Sequence, residues 1–221
     1  MRKSKLAKYD DVASFKNVIQ CEVVSSYPYS IDKKWNNSKF KKKQPIIIEL
    51  GCGRGEYTVN LAEHNQNANY IGIDIKGTRI WHGAKYALTN SLDNVLFVRM
   101  RIEHVAEFFP ENSIDEIWVT FPDPIHKKEW KTSHKRLTSA EFMKRYKFIL
   151  KEDGIVHFKT DDDILYEFTL EILSELNCKI LENINDLYNA DIKSNAKLCQ
   201  TAFEKKFSAL GRTIKYVKFK F

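Results

Sequence analysis

Four carboxylates stand where apolar runs stop: Glu49 and Asp74 around a glycine loop, Asp123 in Phe121-Pro122-Asp123-Pro124, and Asp161 in Lys159-Thr160-Asp161. The two prolines beside Asp123 restrict the residues before them and withhold ladder donors. The apolar approach Ile114, Ile117, Trp118, Val119 must therefore end there and present the carboxylate. Directly downstream runs Lys127, Lys128, Lys131, Lys135 and Arg136, with His126, Trp130 and His134 among them. A carboxylate beside a polycation suits chemistry on a polyanion, because the cations neutralise phosphates and an aromatic ring can stack on a base. With no such substrate, the same run reads as a solvated loop. Neither histidine has a Cys or carboxylate at ligand spacing, so no metal is expected.

The glycine loop defines a second chemistry. Ile46 to Leu50 runs into Gly51-Cys52-Gly53-Arg54-Gly55 and then into a helical pattern. Gly51 suits the tight turn, Gly53 lets backbone approach a ligand, and Gly55 permits close packing of the following helix. Asp74 closes the next strand about 20 residues further on, where a carboxylate accepts from ribose hydroxyls. Glu49, just before the glycines, would repel a pyrophosphate but attract an amine or sulfonium. The expected cofactor is therefore S-adenosyl-L-methionine rather than a dinucleotide, and the G-x-G-x-G spacing agrees. After the third strand the chain reads Arg99-Met100-Arg101-Ile102-Glu103, so backbone near Arg101 and Ile102 is expected to hold the adenine. Read blandly, the loop is a structural turn and Cys52 a small filler.

Asp123 and Asp161 are expected at the carboxyl ends of neighbouring strands, which line the ligand crevice of doubly wound sheets. Such a pair can act as acid and base, or can read a base edge. Guanine offers N1–H and N2–H₂ donors to carboxylates, and its N7 lone pair needs alignment with a methyl group more than proton removal. Amino-group methyltransferases carry an Asn/Asp-Pro-Pro-aromatic turn at this place. Phe-Pro-Asp-Pro shares its rigidity, so N6-adenine or N4-cytosine methylation stands as the alternative. A non-catalytic RNA-binding module is the alternative from another class.

These residues need a scaffold of parallel strands alternating with helices. Strands are predicted at 46–50, 70–75, 95–100, 114–121, 155–160, 179–184 and 213–221, and helices at 56–63, 78–91, 102–109, 139–150, 164–176 and 202–210. The fold class is α/β: a Rossmann-like methyltransferase with a seven-stranded, mostly parallel sheet and helices on both faces. The C-terminal strand alternates in polarity, which suits an edge or antiparallel strand. The 221 residues fit one methyltransferase domain over 45–221 behind a lysine-rich, partly flexible extension over 1–44. A net charge of +7 favours a nucleic-acid partner. Four scattered cysteines point to a reducing compartment. No apolar run reaches membrane-spanning length, so a soluble cytoplasmic protein is expected, either monomer or homodimer.

In this order and spacing the motifs resemble the bacterial tRNA (guanine-N7)-methyltransferase family. The resemblance runs from about Pro45 to Gly211. It rests on Glu49-Leu50-Gly51-Cys52-Gly53, Gly72-Ile73-Asp74, Phe121-Pro122-Asp123-Pro124, Lys135-Arg136-Leu137-Thr138, Phe158-Lys159-Thr160-Asp161 and Thr201-Ala202-Phe203-Glu204 with Phe207 and Gly211. It implies methyl transfer from S-adenosylmethionine to guanine N7 at position 46 of the tRNA variable loop. By the same resemblance Glu49, Asp74 and Asp123 contact the cofactor, with Asp123 also catalytic. Lys127, Asp161 and Thr201, Ala202, Phe203 and Glu204 would bind the guanosine, while Glu129, Trp130, Lys131, Thr132, Ser133 and His134 would face tRNA. From the residues alone, Thr201 and Glu204 also read as a helix capping box. Ile125 stands where the family often has Trp, and the Asp123 to Leu137 stretch is about two residues longer than the common pattern.

Overall fold

Strand β2 (Ile46–Leu50) is buried along its whole length and lies in the middle of a sheet that places the cofactor loop. A computed structural model describes residues 3–21, 39–126 and 133–221, so the expectations for Lys127, Glu129, Trp130, Lys131 and Thr132 lie outside the described residues. Parallel partners flank β2: β3 (Asn69–Asp74) on one side and β5 (Ile114–Thr120) on the other. Beyond β3 come β4 (Val95–Arg99) and β1 (Val18–Gln20), and beyond β5 come β6 (Leu150–Thr160), β8 (Lys215–Lys220) and β7 (Lys179–Ile184). The order is β1-β4-β3-β2-β5-β6-β8-β7. Order reverses at β2, between β3 and β5, so the crevice for ligands opens over the carboxyl ends of these strands.

Because strand side chains alternate between faces, neighbouring residues of β2 feed separate cores. Ile46, Ile48 and Leu50 join one cluster with Phe142, Met143 and Leu165, which belong to α5 (Ala140–Ile149) and α6 (Asp163–Glu175). Ile47 joins the other with Tyr57 and Ala84, which belong to α2 (Glu56–His64) and α3 (Gly77–Thr89). Helices therefore cover both faces, as the alternating pattern predicted. The short α4 (Val105–Phe108) follows a 3₁₀ turn over Ile102–His104, where a single helix was expected.

The strand count differs from the seven expected, because eight strands pair among the described residues. The additional one is β1, three residues long and parallel to β4, preceded by α1 (Lys5–Ser14). Periodicity does not reveal such a segment, since three residues carry too little pattern and the pairing itself supplies the order. Trp81 on α3 donates its indole N–H to Asp11 at 2.6 Å, and Lys8 lies 4.7 Å above the same ring, which pins α1 to α3. The C-terminal strand is antiparallel as its alternation indicated, but it lies inside the sheet between β6 and β7. The exposed edge is β7.

Candidate active site

Gly51, Gly53 and Gly55 form the turn between β2 and α2, Glu49 precedes it on β2, and Asp74 ends the neighbouring strand β3. Gly51, Gly53 and Gly55 all adopt left-handed φ values, of 78°, 55° and 73°. A Cβ on Gly55 would lie 2.5 Å from the Phe97 ring and 3.2 Å from the Gly83 Cα, so this glycine is required where α2 packs on β4 and α3. A Cβ on Gly53 would meet nothing nearer than the Gly51 carbonyl at 4.0 Å, so its backbone faces open space. Asp74 braces this loop, accepting from the Gly53 N–H at 3.0 Å and from the Lys76 N–H at 2.7 Å.

Glu49 is 4% exposed and forms the floor of a cleft of about 590 Å³. Its carboxylate accepts from the Thr58 backbone at 2.9 Å, from the Thr58 hydroxyl, and from the Thr120 hydroxyl on β5 at 2.8 Å. Burial pushes the acid up to about 7 despite those three donors, because removing a carboxylate from water disfavours its charge. The same burial raises the neighbouring Cys52 thiol, which is the inert filler expected. A buried carboxyl that a cation would ionise, beside a glycine loop with open space at Gly53, fits the charge and shape of S-adenosylmethionine. Arg54, Arg79 and Lys206 also line this cleft. Arg101 lies outside it, exposed and paired with Glu103 at 2.7 Å, while Ile102 approaches Gly51. The Arg101 side chain thus lies apart from the cleft.

Next to β2 the ends of β5 and β6 pair directly at Thr120 and Lys159. Phe121 lines the cleft with a φ of 50°, a left-handed conformation unusual for a bulky residue and characteristic of over-determined functional turns. Its ring packs against that of Phe203, 5.0 Å between centres and tilted by 52°. Asp123 lies two residues further on, exposed, with its carboxylate accepting from the Ile125 N–H at 3.2 Å. Asp161 at the end of β6 is paired with Arg212 at 2.8 Å. Asp161 directly follows β6 and Asp123 lies three residues beyond β5, and neither is among the residues that line the cleft.

The Thr201 to Glu204 segment divides into two roles. Thr201, Ala202 and Phe203 line the cleft at the start of α7 (Ala202–Ala209), and the Ala202 N–H donates to Glu56 at 2.8 Å across it. Glu204 is fully buried and turned away from the cleft, so it does not offer the guanosine contact that the resemblance implied. It completes the capping box with Thr201, accepts from the Tyr188 hydroxyl at 2.7 Å, and pairs with Lys159, itself fully buried. Lys159 also donates to the Ala196 carbonyl at 2.9 Å. Burial lowers the lysine against the attraction of Glu204. A lysine directly after the strand residues Ile155–Phe158 is the signal that announces such a pair, since a buried charge requires a counter-ion.

Of the described part of the basic run, Arg136 departs from the phosphate-binding role. It is 4% exposed, donates to the Pro124 carbonyl at 2.9 Å and lies 4.5 Å over the Phe168 ring, so it holds the acidic turn in place. His126 pairs with Asp162 at 2.8 Å, which caps α6. Ser133 and His134 form a short 3₁₀ turn with Lys135, and His134 points an exposed side toward solvent. Thr58, Thr120, Arg54 and Arg79 were not singled out by sequence. Folding brings Arg79 and Thr120 to the cleft, and Thr58 to the Glu49 carboxylate behind it.

Comparison with known proteins fits this geometry. A family model described as putative methyltransferase matches residues 43–217. A tRNA (guanine-N(7)-)-methyltransferase of Christiangramia forsetii is 42% identical over 99% of this chain and 98% of its own. One of Bacteroides fragilis is 40% identical over 99% of this chain and 86% of its own. Among solved structures, the 16S rRNA methyltransferase KamB aligns with a TM-score of 0.61 at 13% identity, covering 90% of this chain and 96% of that one. An antibiotic-related methyltransferase aligns with a TM-score of 0.57 at 18% identity, over 100% and 95%. At these identities the solved structures establish the fold alone.

Proposed function

The chain belongs to the tRNA (guanine-N(7)-)-methyltransferase family, and from that premise we propose that it methylates N7 of a tRNA guanine, at position 46 of the variable loop, in the cytoplasm. The observation that carries the reading is the buried Glu49 carboxylate, held by Thr58 and Thr120 beneath an open-faced glycine loop. S-adenosylmethionine supplies an electrophilic methyl group on a sulfonium centre. Glu49 attracts the cationic end of that molecule, the Gly51 to Gly55 backbone lies against it, and Asp74 serves the ribose. Among the described residues no helix is long and apolar enough to cross a membrane.

Guanine N7 attacks with its own in-plane lone pair, so the acceptor residues orient rather than deprotonate. Asp123 leaves the end of β5 as an exposed acceptor, and Asp161 at the end of β6 accepts from the N1–H and N2–H₂ edge. The Phe121 and Phe203 rings offer apolar faces for a splayed base, in the manner of RNA recognition by stacking. Lys127 and the residues from Glu129 to His134 meet the surrounding tRNA. The test is methyl transfer from labelled S-adenosylmethionine to unmodified tRNA. Asp123→Ala and Asp161→Ala should each lower kcat/KM by about 100-fold or more while the fold persists. Full activity in both would remove them from the site.

A further inference from the structure

Asp161 opens a run of three carboxylates, Asp161, Asp162 and Asp163, and each meets a different basic side chain. Asp163 pairs with Lys215 at 2.5 Å. Asp162 pairs with His126 at 2.8 Å while its other oxygen accepts from the Leu165 N–H at 2.7 Å, capping α6. Those two hold the scaffold. Asp161 takes no part in capping, and among the described residues its one recorded partner is Arg212, whose Nη1 donates to Oδ2 at 2.8 Å. The other oxygen, Oδ1, has no donor among them.

Arg212 reaches Asp161 from a defined place. It follows Gly211, whose φ of 76° turns the chain out of α7, and its N–H donates back to the Phe207 carbonyl at 3.1 Å. Its guanidinium lies 5.0 Å over the Phe207 ring. The backbone turn and the ring together restrict a long side chain that is otherwise 55% exposed, whereas the Asp161 carboxylate is 12% exposed. One oxygen is thereby engaged by a charge-assisted bond, and the other is left as an acceptor without rotational freedom.

We propose that Arg212 is a positioning residue for base selection: it holds the Asp161 carboxylate oriented so that Oδ1 accepts from the Watson–Crick edge of guanine. An ionised carboxylate only accepts. Guanine presents N–H donors at N1 and N2, whereas adenine presents a lone pair at N1 that a fixed carboxylate oxygen repels. The inference rests on the proposed guanine-binding role of Asp161, and extends it to a residue in a different element.

The experiment is a double-mutant cycle on kcat/KM for tRNA methylation, with S-adenosylmethionine affinity measured on each variant by calorimetry. Arg212→Ala should lower kcat/KM by about 10- to 100-fold, the range for a charge-assisted hydrogen bond. Arg212→Lys should recover part of it, and the affinity for S-adenosylmethionine should stay within about twofold. In an Asp161→Asn background, removing Arg212 should cost nothing further beyond about twofold, because the two residues act as one device. Additive losses would overturn the proposal, since Arg212 would then act on its own, for example on a phosphate. Wild-type activity in Arg212→Ala would also overturn it. Full activity of Asp161→Asn would remove the basis of the inference while leaving guanine methylation itself standing.

Discussion

Replacing Glu204 by Gln tests how α7 is held over the cleft. Both side chains of the Lys159–Glu204 pair are fully buried, and Glu204 also accepts from Tyr188 and from the Thr201 N–H at 2.8 Å. Glutamine keeps the shape but strips Lys159 of its counter-ion and puts one amide NH₂ where an acceptor stood. Breaking one half of a buried ion pair costs about 3–5 kcal/mol, most of it the penalty of the stranded charge. For a chain of this length that is a fall of about 6–20 °C in Tm. The double variant Lys159→Met with Glu204→Gln removes both charges and should recover most of the loss, because a desolvated pair contributes little against well-packed neutral groups. Thermal and urea denaturation read both effects, and an unchanged m-value would place them in the folded state. A Glu204→Gln protein within about 0.5 kcal/mol of wild type, with no recovery in the double variant, would refute the argument that this pair anchors the helix.

Two further outcomes follow from the donor side. Because burial raises Glu49 from about 4.5 to about 7, the folded protein binds more protons than the unfolded chain between those values, so this group's contribution to stability falls as pH rises through that window, by on the order of 3 kcal/mol. A cationic ligand favours the ionised form, so S-adenosylmethionine binding at pH 6 should release a proton and tighten up to about pH 7. Calorimetry in buffers of different ionisation heat detects this, and Glu49→Gln should abolish it; buffer-independent heats in wild type would contradict the assignment. Gly55→Ala forces a Cβ into the Phe97 ring at a φ of 73°, so it should destabilise by about 2–4 kcal/mol in urea titration, and a neutral result would mean that the loop repacks freely.

Much of this site was legible because its residues sit where local rules are strong. A strand, a glycine turn and an acidic strand end define the donor half without any contact being seen, and Pro122 and Pro124 mark the acceptor turn. Thr201 and Glu204 were readable both as a capping box and as substrate residues. The structure realises the cap and turns Glu204 inward, because its partner Lys159 lies on a strand 45 residues away. Arg136 was unreadable for the same reason: its place under Pro124 and over Phe168 depends on tertiary packing, and in sequence it is one more cation in a run. Strand β1 escaped because three residues carry no period. Thr58 and Thr120 meet at Glu49 only once β2 and β5 pair, which no spacing records.

In the proposed function the cleft between the glycine loop, the end of β5 and the start of α7 directs a methyl group to guanine N7. Mass analysis of nucleosides, after incubating the protein with unmodified tRNA and S-adenosylmethionine, measures that directly. The expected product is 7-methylguanosine, absent when the guanine is replaced by adenine at position 46. Methylation of an exocyclic amino group, or tRNA binding with no methylated nucleoside at all, would contradict it.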